Sequence, residues 1–510
     1  MALLHFFLAL CWLQVFAICS AYLDTLNQGQ SLFVERLNKS NNVLVSENGV
    51  FSAGFFSVGD NAFSFAIWIN KSTCPTVVWM TNRDQPVNGK RSKFSLSKTG
   101  DLILLDAGQI TVWSWTMATS YSVAVQLQLL NSGNLVLRTP DNVILWQSFG
   151  WPTDTLLPQQ QLTRNISLIS LKSLSNGSSG HYKLYFDDDN VRHLLFQTPE
   201  ESSRYWPTAG LTNFAAGRTE YNNTRVAVLN SYGHFISTDD LNFSSIDFGA
   251  NSLRRLTLDP DGNLRLYSLG ESGARNVSWK AFSNPCKIHG ACGPNSICTY
   301  DPAFGRSCSC LPGYKAKDSV DWSYGCETEF DLSCTRSNEF SFVKFNHIEF
   351  YGYDKGYFPN STLEKCKKEC LKLCNCKGFQ YKFNKGNGYY ECYPKVLLLN
   401  GYLSPNFIGD LYLKLQIKGS SLFSSKIPHK AARLNCPKDM LSQQLNRTHT
   451  RPHENKKVKV FALVCHCFGR YGDDLYLLGM LFHGYCRSRL QSSCPRVLSC
   501  PNWPFRKIYL

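Results

Sequence analysis

The fold follows from a short stretch, Ser132–Arg138, which reads SGNLVLR. Glycine and asparagine form a tight turn, and the residues after them alternate so that the leucines point to one side of a strand. The same design recurs at Thr99–Leu105, which reads TGDLILL, and at Asp261–Tyr267, which reads DGNLRLY. Spacing alone favours a structural hairpin signature over a ligand-facing strand, and the latter stays open as the second interpretation.

The residues around the first two repeats extend this pattern. Short β runs separated by Gly, Asn and Asp turns fill Leu32–Leu157, where Phe63–Ile69 alternates and Thr76–Trp79 is typical of a buried strand. No convincing stretch has the 3.6-residue period of a helix. The region is therefore predicted to be all-β.

The N-terminus predicts entry into the secretory pathway. Leu3–Ile18 is apolar except for His5 and Gln14, is too short for a comfortable membrane span, and is followed by small residues that suit cleavage near Ala21. Nine N-glycosylation sequons follow the proposed signal peptide. They begin at Asn38, Asn70, Asn165, Asn176, Asn222, Asn242, Asn276, Asn360 and Asn446.

The net charge of +15 does not indicate a nucleic-acid partner. Fifteen basic and four acidic residues lie in Ser420–Leu510, so that this segment carries +11 and the preceding chain only +4. The preceding part shows no basic face interleaved with aromatic residues, which is the footprint of a nucleic-acid platform.

The cysteines are unevenly distributed. Twelve of the 21 lie between Cys286 and Cys392, whereas the long stretch Ser20–Pro285 holds Cys74 alone. In a chain with a signal peptide, such a block predicts small disulfide-stapled modules after a larger, nearly cysteine-free region. The 19 cysteines beyond the signal peptide are an odd number, so at least one thiol is expected to be free or intermolecular.

Two longer motifs accompany the repeats: Val78–Val87 reads VWMTNRDQPV, and Trp146–Pro158 reads WQSFGWPTDTLLP. Repeats and motifs together closely resemble the extracellular region of plant S-domain (G-type, or bulb-type, lectin) receptor-like serine/threonine kinases. The resemblance runs from about Gln30 to about Lys457. Within that family, Leu256–Tyr267 looks most like the subgroup typified by the maize receptor protein kinase.

The resemblance implies a mainly β architecture of two β-prism (bulb-lectin-like) units followed by disulfide-rich EGF-like and PAN/apple modules. The second prism would be a diverged copy of the first, consistent with the third repeat lying in it. The implied domains are a signal peptide (1–21), a bulb-type lectin domain (22–145), an S-locus glycoprotein domain (146–281), an EGF-like module (282–326), a PAN/apple module (334–417), a juxtamembrane-like linker (418–459) and an atypical tail without a kinase (460–510).

Mannose sites of bulb-type lectins follow the pattern Gln-x-Asp-x-Asn-x-Val-x-Tyr, because alternate residues of one strand face the same sugar. The first two repeats lack the Gln and the Tyr, and the third has Arg265 at the valine position. Each missing hydrogen bond forfeits about 0.5–1.5 kcal/mol, so no useful mannose affinity is expected. The degenerate sugar-binding candidates are Asp101, Asn134, Asp259, Asp261, Asn263 and Tyr267.

The first six cysteines of the block are separated by 5, 5, 9, 1 and 15 residues, and resemble an EGF-like module. By that resemblance, the implied pairs are Cys286–Cys298, Cys292–Cys308 and Cys310–Cys326. Ala281–Pro285 lacks the acidic residues that calcium-binding versions carry before the first cysteine, so no calcium is expected. A zinc site is the competing interpretation, and six cysteines in a signal-bearing chain favour disulfides.

The remaining cysteines of the block resemble a PAN/apple module. A lysine-rich helix is predicted over Leu363–Leu371, and aromatic strands are predicted at Gly378–Phe383 and Gly409–Leu415. The implied disulfides are Cys366–Cys392, Cys370–Cys376 and Cys334–Cys374.

The tail departs from the family. In full-length relatives a basic juxtamembrane segment leads into a membrane helix and a kinase, whereas the stretch after Lys459 has no run of 18 apolar residues and no kinase motif. Its cysteines and histidines fit no zinc spacing, and Asp187–Asp189 is predicted to be an acidic loop rather than a calcium site. No catalytic residue, metal or cofactor is predicted.

The expected function is that of a non-enzymatic extracellular recognition ectodomain, in pollen recognition or defence-type signalling by family resemblance. Its implied partners are an extracellular peptide, protein or glycan ligand, and a second copy or a full-length receptor in a dimer. The chain is expected to be secreted to the apoplast, with no membrane span, whereas full-length relatives lie in the plasma membrane. The alternative is a soluble mannose-type carbohydrate-binding lectin.

Overall fold

The structure is a computed structural model that describes residues 23–36, 42–70, 75–117, 124–207, 224–270, 273–318, 321–329 and 340–416. Within these residues the chain is almost entirely β-sheet, as the sequence predicts. The exceptions are a ten-residue α-helix, α1 (Leu363–Lys372), and short 3-10 helices at Val34–Arg36, Ser148–Gly150, Pro285–Lys287 and Trp322–Tyr324.

The first prism comprises thirteen strands. They are β1 (Thr25–Asn27), β2 (Ser31–Phe33), β3 (Leu44–Val45), β4 (Phe51–Gly59), β5 (Ala62–Ile69), β6 (Thr76–Met80), β7 (Val87–Asn88), β8 (Lys93–Leu96), β9 (Leu102–Leu105), β10 (Thr111–Trp115), β11 (Gln126–Leu129), β12 (Leu135–Arg138) and β13 (Ile144–Gln147).

These strands form three antiparallel sheets around one core. The sheet orders are β1-β11-β12-β13, β10-β9-β8-β2 and β3-β4-β5-β6, with β7 paired to β5. Alternate residues of each strand point inward, which buries Leu102 and Leu104 of the first repeat and Leu135 and Leu137 of the second. In the core, the rings of Phe65 and Phe94 stack with centroids 3.9 Å apart. The three sheets are the walls of the β-prism that the resemblance implies.

The second prism repeats this plan with twelve strands. They are β14 (Thr155–Leu156), β15 (Gln161–Thr163), β16 (Leu168–Leu171), β17 (Ser179–Phe186), β18 (Arg192–Gln197), β19 (Ser202–Trp206), β20 (Val226–Leu229), β21 (His234–Ser237), β22 (Phe243–Ser244), β23 (Leu253–Leu258), β24 (Leu264–Leu269) and β25 (Arg275–Lys280).

Its sheets have the orders β14-β23-β24-β25, β15-β20-β21-β22 and β16-β17-β18-β19. The third repeat supplies the turn between β23 and β24. Gly262 in that turn has φ +81°, and a Cβ there would lie 2.5 Å from the ring of Tyr182. Only glycine meets both conditions, since L residues with side chains rarely adopt positive φ. The S-locus segment is thus a second β-prism, as predicted.

The sequence places the boundary between the two prisms after residue 145, and in the structure the boundary lies later in the chain. That boundary falls inside β13, whose Trp146 pairs with Leu137 and packs in the first core. The strand belongs to the first prism because its backbone completes the sheet that begins with β1.

The two sequence motifs join the prisms. The Arg83 guanidinium donates to the carbonyl oxygens of Ile169 (2.9 Å) and Ser170 (2.5 Å). In the same way, the Trp79 indole nitrogen donates to the carbonyl oxygen of Trp151 at 2.7 Å. The motif residues thus tie side chains of the first prism to the backbone that leads into the second.

The cysteine-rich part follows with ten strands. They are β26 (Ser296–Asp301), β27 (Gly305–Cys310), β28 (Tyr314–Ala316), β29 (Cys326–Thr328), β30 (Phe340–Asn346), β31 (Ile348–Phe350), β32 (Gly378–Asn384), β33 (Tyr389–Lys395), β34 (Gly401–Leu403) and β35 (Gly409–Gln416).

The predicted EGF-like and PAN/apple segments share a sheet, of order β27-β26-β34-β31, in which Ile297 pairs with Gly401. A second sheet, β30-β35-β32-β33, packs against α1. The helix begins at its N-cap Thr362, whose hydroxyl accepts from the Lys365 amide, and it buries Cys366 and Cys370 one turn apart.

Five disulfides are formed within the described residues, and they are pairs that the resemblance implies. They are Cys286–Cys298, Cys292–Cys308, Cys310–Cys326, Cys366–Cys392 and Cys370–Cys376. Cys374 is also disulfide-bonded, but its expected partner Cys334 lies outside the described residues, so that pair stays a prediction.

Among the described residues, no helix has the length and apolar character that a membrane span requires. The proposed signal peptide, the linker and the tail lie outside the described residues.

Candidate functional site

The third repeat lies beside a cleft of about 750 Å³. One wall comes from the second prism and includes Asp261 of the β23–β24 turn, Arg265 of β24 and Trp279 of β25. The facing wall comes from the β26–β27 hairpin, which contributes Tyr300 and Arg306. We call this space the third-repeat cleft. Its volume is in the range of about 300–1,000 Å³ that small-ligand sites occupy.

An ion-pair network fills the sugar-binding positions of this repeat. One Arg265 guanidinium nitrogen lies 2.5 Å from Asp259 and 2.8 Å from Asp261, and the other donates to Asp261 at 2.6 Å. The Tyr267 hydroxyl donates to Asp259 at 2.8 Å. The arginine at the valine position of the mannose pattern therefore binds the side chains that a sugar would need.

The pKa values of this network reflect burial and charge together. Burial opposes the charge of Arg265, but hydrogen bonds to Asp261 and Asp259 outweigh it and raise the pKa of the guanidinium. Burial and the neighbouring Asp259 carboxylate raise the pKa of Tyr267 to about 12. At neutral pH the arginine therefore stays charged and the tyrosine stays a hydrogen-bond donor.

Asn263 serves the backbone of the prism. Its amide nitrogen donates to the Phe282 carbonyl oxygen at 2.8 Å, and its amide oxygen accepts from the Phe282 N–H at 3.1 Å. The residue is 2% exposed. Because both ends of the amide are engaged and buried, it offers nothing to a ligand in this conformation.

The first two repeats use the same position in the same way. The Asp101 carboxylate accepts from the Met117 N–H at 3.1 Å, and the Asn134 amide oxygen accepts from the Phe149 N–H at 3.2 Å. In each repeat the hairpin is followed by one more strand of the same sheet, which is β10, β13 or β25. The backbone N–H that donates belongs to the second residue after the end of that strand. This shared contact fits the hairpin-signature interpretation, because it fixes the chain where it leaves each sheet.

The sequence pattern did not identify three further hairpins that have a positive-φ residue in the turn. The middle strands of the other sheets meet at turns whose positive-φ residues are Asn61, Asn190 and Gly233. Two of these turns use asparagine instead of glycine, and asparagine is the residue that best tolerates the left-handed conformation after glycine. A search for Asn as well as Gly before an alternating run would have found them.

The turn at Asn190 contains the acidic loop. Asp187, Asp189 and His193 lie close enough together to hold a metal ion. However, Asp187 accepts from Arg204 at 2.7 Å, and the His193 ring lies 2.7 Å from Asp189. Both carboxylates therefore already have partners within the protein, and we assign no metal to the cluster.

All sequon asparagines within the described residues are exposed to solvent, as an attached glycan requires. They are Asn70, Asn165, Asn176, Asn242, Asn276 and Asn360. The other three, Asn38, Asn222 and Asn446, lie outside the described residues.

Two prisms built from lectin-type hairpins define a tandem lectin-fold protein, and comparisons with known proteins agree. The D-mannose binding lectin family matches residues 76–175, and the S-locus glycoprotein domain family matches residues 216–318. The receptor protein kinase ZmPK1 of Zea mays is 36% identical over 88% of this chain and 54% of its own length. The G-type lectin S-receptor-like serine/threonine-protein kinase SD3-1 of Arabidopsis thaliana is 31% identical over 73% of this chain and 49% of its own length.

Among solved structures, a monomeric mannose-binding lectin from Gastrodia elata shares 20% identity, covering 24% of this chain and 96% of the lectin, with a TM-score of 0.19. The two-domain, fetuin-binding agglutinin of Scilla campanulata shares 16% identity, covering 50% of this chain and 99% of the agglutinin, with a TM-score of 0.18.

The chain carries matches to a bulb-type lectin domain and an S-locus glycoprotein domain, and the relatives to which it is similar are G-type lectin S-receptor-like kinases. It spans about half the length of the curated relatives it matches. The relatives carry kinase names, and the matched part of this chain corresponds to their lectin-bearing region.

Proposed function

We propose that this chain is a non-enzymatic extracellular recognition ectodomain that binds its ligand in the third-repeat cleft, and that it is not a mannose lectin. The observation that carries the proposal is the ion-pair network of Arg265 with Asp259 and Asp261. A monosaccharide would have to break these contacts to reach the carboxylates, and charge-assisted hydrogen bonds are about twice as strong as neutral ones.

The third-repeat cleft is suited to a larger extracellular ligand. Trp279 and the exposed Val277 supply apolar surface, while Lys280 and Arg306 stand exposed at its rim. A cleft of apolar surface with a few charged groups fits a peptide or protein segment that carries both apolar and acidic side chains.

The predicted modules belong to the same proposal. The disulfides support EGF-like (282–326) and PAN/apple (334–417) modules, and α1 supports the second of them. Exposed sequons and a block of disulfides support secretion to the apoplast. Dimerisation with itself or with a full-length receptor, a part in pollen recognition or defence-type signalling, and the absence of kinase activity are likewise proposals.

Two measurements test the function. Calorimetric titration of the secreted chain with mannose oligosaccharides should show no saturable binding, whereas the alternative, a soluble mannose-type lectin, requires it. Affinity capture from apoplastic fluid should retain a partner on the wild-type chain, and Arg306→Ala should release it. Phe304→Ala is the matched control, since Phe304 is exposed on the same hairpin but does not line the cleft. Equal retention by Arg306→Ala would contradict the proposed site.

A further inference from the structure

A second cleft, of about 460 Å³, lies where the two prisms meet. We call it the tryptophan cleft, because its lining includes Trp79, Trp113, Trp115, Trp146 and Trp151. Six of its other lining residues come from the two motifs that join the prisms: Met80, Thr81, Arg83, Asp84, Pro152 and Thr153. Its volume is in the range of about 300–1,000 Å³ that small-ligand sites occupy.

The tryptophans divide into a floor and an open side. Trp79 and Trp146 are buried and meet edge to face at 6.0 Å, and Trp113 packs against Trp146 at 5.9 Å. Trp151 is 67% exposed and Trp115 is half-buried. Neither Trp115 nor Trp151 contacts another aromatic ring among the described residues, but Trp115 packs in part against the first core, so Trp151 presents the more accessible indole.

The cost of this exposure points to a ligand. A tryptophan side chain buries more apolar area than almost any other, and leaving most of it in water forgoes that stabilisation. The Trp151 backbone is nevertheless fixed, because its carbonyl oxygen accepts from the Trp79 indole. This hydrogen bond fixes the backbone from which the Trp151 ring extends at the mouth of the cleft, and it does not involve the ring itself.

The charges in the tryptophan cleft favour a neutral ligand. Arg83 is the cation in the lining, and its two terminal nitrogens donate to the carbonyl oxygens of Ile169 and Ser170. Asp84 accepts from the Ser179 N–H at 2.6 Å and its hydroxyl at 2.7 Å. A phosphate or carboxylate would meet Asp84 without a free cation to offset it, which disfavours nucleotides and acidic peptides.

We propose that the tryptophan cleft binds a neutral saccharide of one or two pyranose rings. The C–H face of a pyranose is attracted to the negative face of an indole, and Trp115 and Trp151 offer two such faces. The exposed hydroxyl of Ser114 and the Asp84 carboxylate then lie at the rim to bond the sugar hydroxyls. This site uses none of the degenerate mannose-pattern residues and is separate from the third-repeat cleft.

The test is titration of the full secreted chain with neutral oligosaccharides of glucose, xylose and N-acetylglucosamine, each followed by tryptophan fluorescence and calorimetry. At least one series should bind saturably and change the fluorescence. Trp151→Ala should weaken that binding at least tenfold, and Trp151→Phe should restore most of it because an aromatic face remains. Truncating this exposed ring leaves the backbone hydrogen bond to Trp79 intact, so the variant should fold.

Phe304→Ala, which removes an exposed ring far from this cleft in sequence, should bind like the wild-type chain. Absence of binding in every series would overturn the proposal, as would binding that Trp151→Ala leaves unchanged. Saturable binding of an apolar peptide with the same sensitivity to Trp151→Ala, in place of any sugar, would overturn the assigned ligand class. None of these results bears on the third-repeat cleft, whose test depends on Arg306.

Discussion

Replacing Asn263 by alanine distinguishes a structural role from a sugar-binding role at the third repeat. The substitution removes both hydrogen bonds to Phe282, and the Phe282 N–H and carbonyl oxygen are left in a buried place, since Phe282 is 5% exposed. Each buried backbone group without a partner costs about 1–3 kcal/mol, so Asn263→Ala should lower the free energy of unfolding by about 2–6 kcal/mol.

Thermal unfolding of the secreted chain measures this loss. Each kcal/mol should lower the melting temperature by roughly 2–4 °C, the usual value for a domain of about 150–250 residues. Asn251→Ala is the matched control, because Asn251 is exposed and has no hydrogen bond to the described residues. It should melt like the wild-type chain. If Asn263→Ala kept the wild-type melting temperature but abolished binding of a sugar, the structural role argued here would be refuted.

Three other predictions concern pH, disulfides and glycans. Burial lowers the pKa of His289 to about 4 from about 6.5, so the folded state binds its proton less readily than the unfolded state. The stability that this group contributes is complete above pH 6.5, and about 3 kcal/mol of it is lost as the pH falls toward 4. The free energy of unfolding, measured at several pH values, should fall over this range. His289→Gln should make that fall smaller. Peptide mapping without reductant should recover Cys286–Cys298 and Cys366–Cys392 as linked peptides, whereas free thiols there would contradict the fold. Chain secreted from plant cells should carry endoglycosidase-sensitive glycans at Asn276 and Asn360, and unmodified peptides at both would argue against the secretory route.

Much of the fold can be predicted from the sequence because the residues that specify each turn, strand and helix lie close together in the chain. The turn Gly133-Asn134 and the alternation after it specify a hairpin within a few residues of chain, and the helix Leu363–Lys372 follows from its own capping residue and its cysteine spacing. The candidate site was harder to predict. The substituted residue at position 265 was visible as a departure from the mannose pattern, but its two carboxylate partners became evident only when β23 and β24 were paired.

By itself, the sequence determined the β class, the two lectin-type repeats of the first prism, and the placement of the cysteine block, since each depends on residues close together in the chain. Tertiary structure alone decided which polar side chains are buried and what they bind. Arg192 is a charged residue at the start of β18, yet it is 0% exposed, and the carboxylate that accepts from its N–H belongs to Asp239. The tryptophan cleft likewise collects side chains from Trp79 to Ser179. No local pattern encodes such meetings, because burial and partner choice depend on how distant strands pack around a shared core.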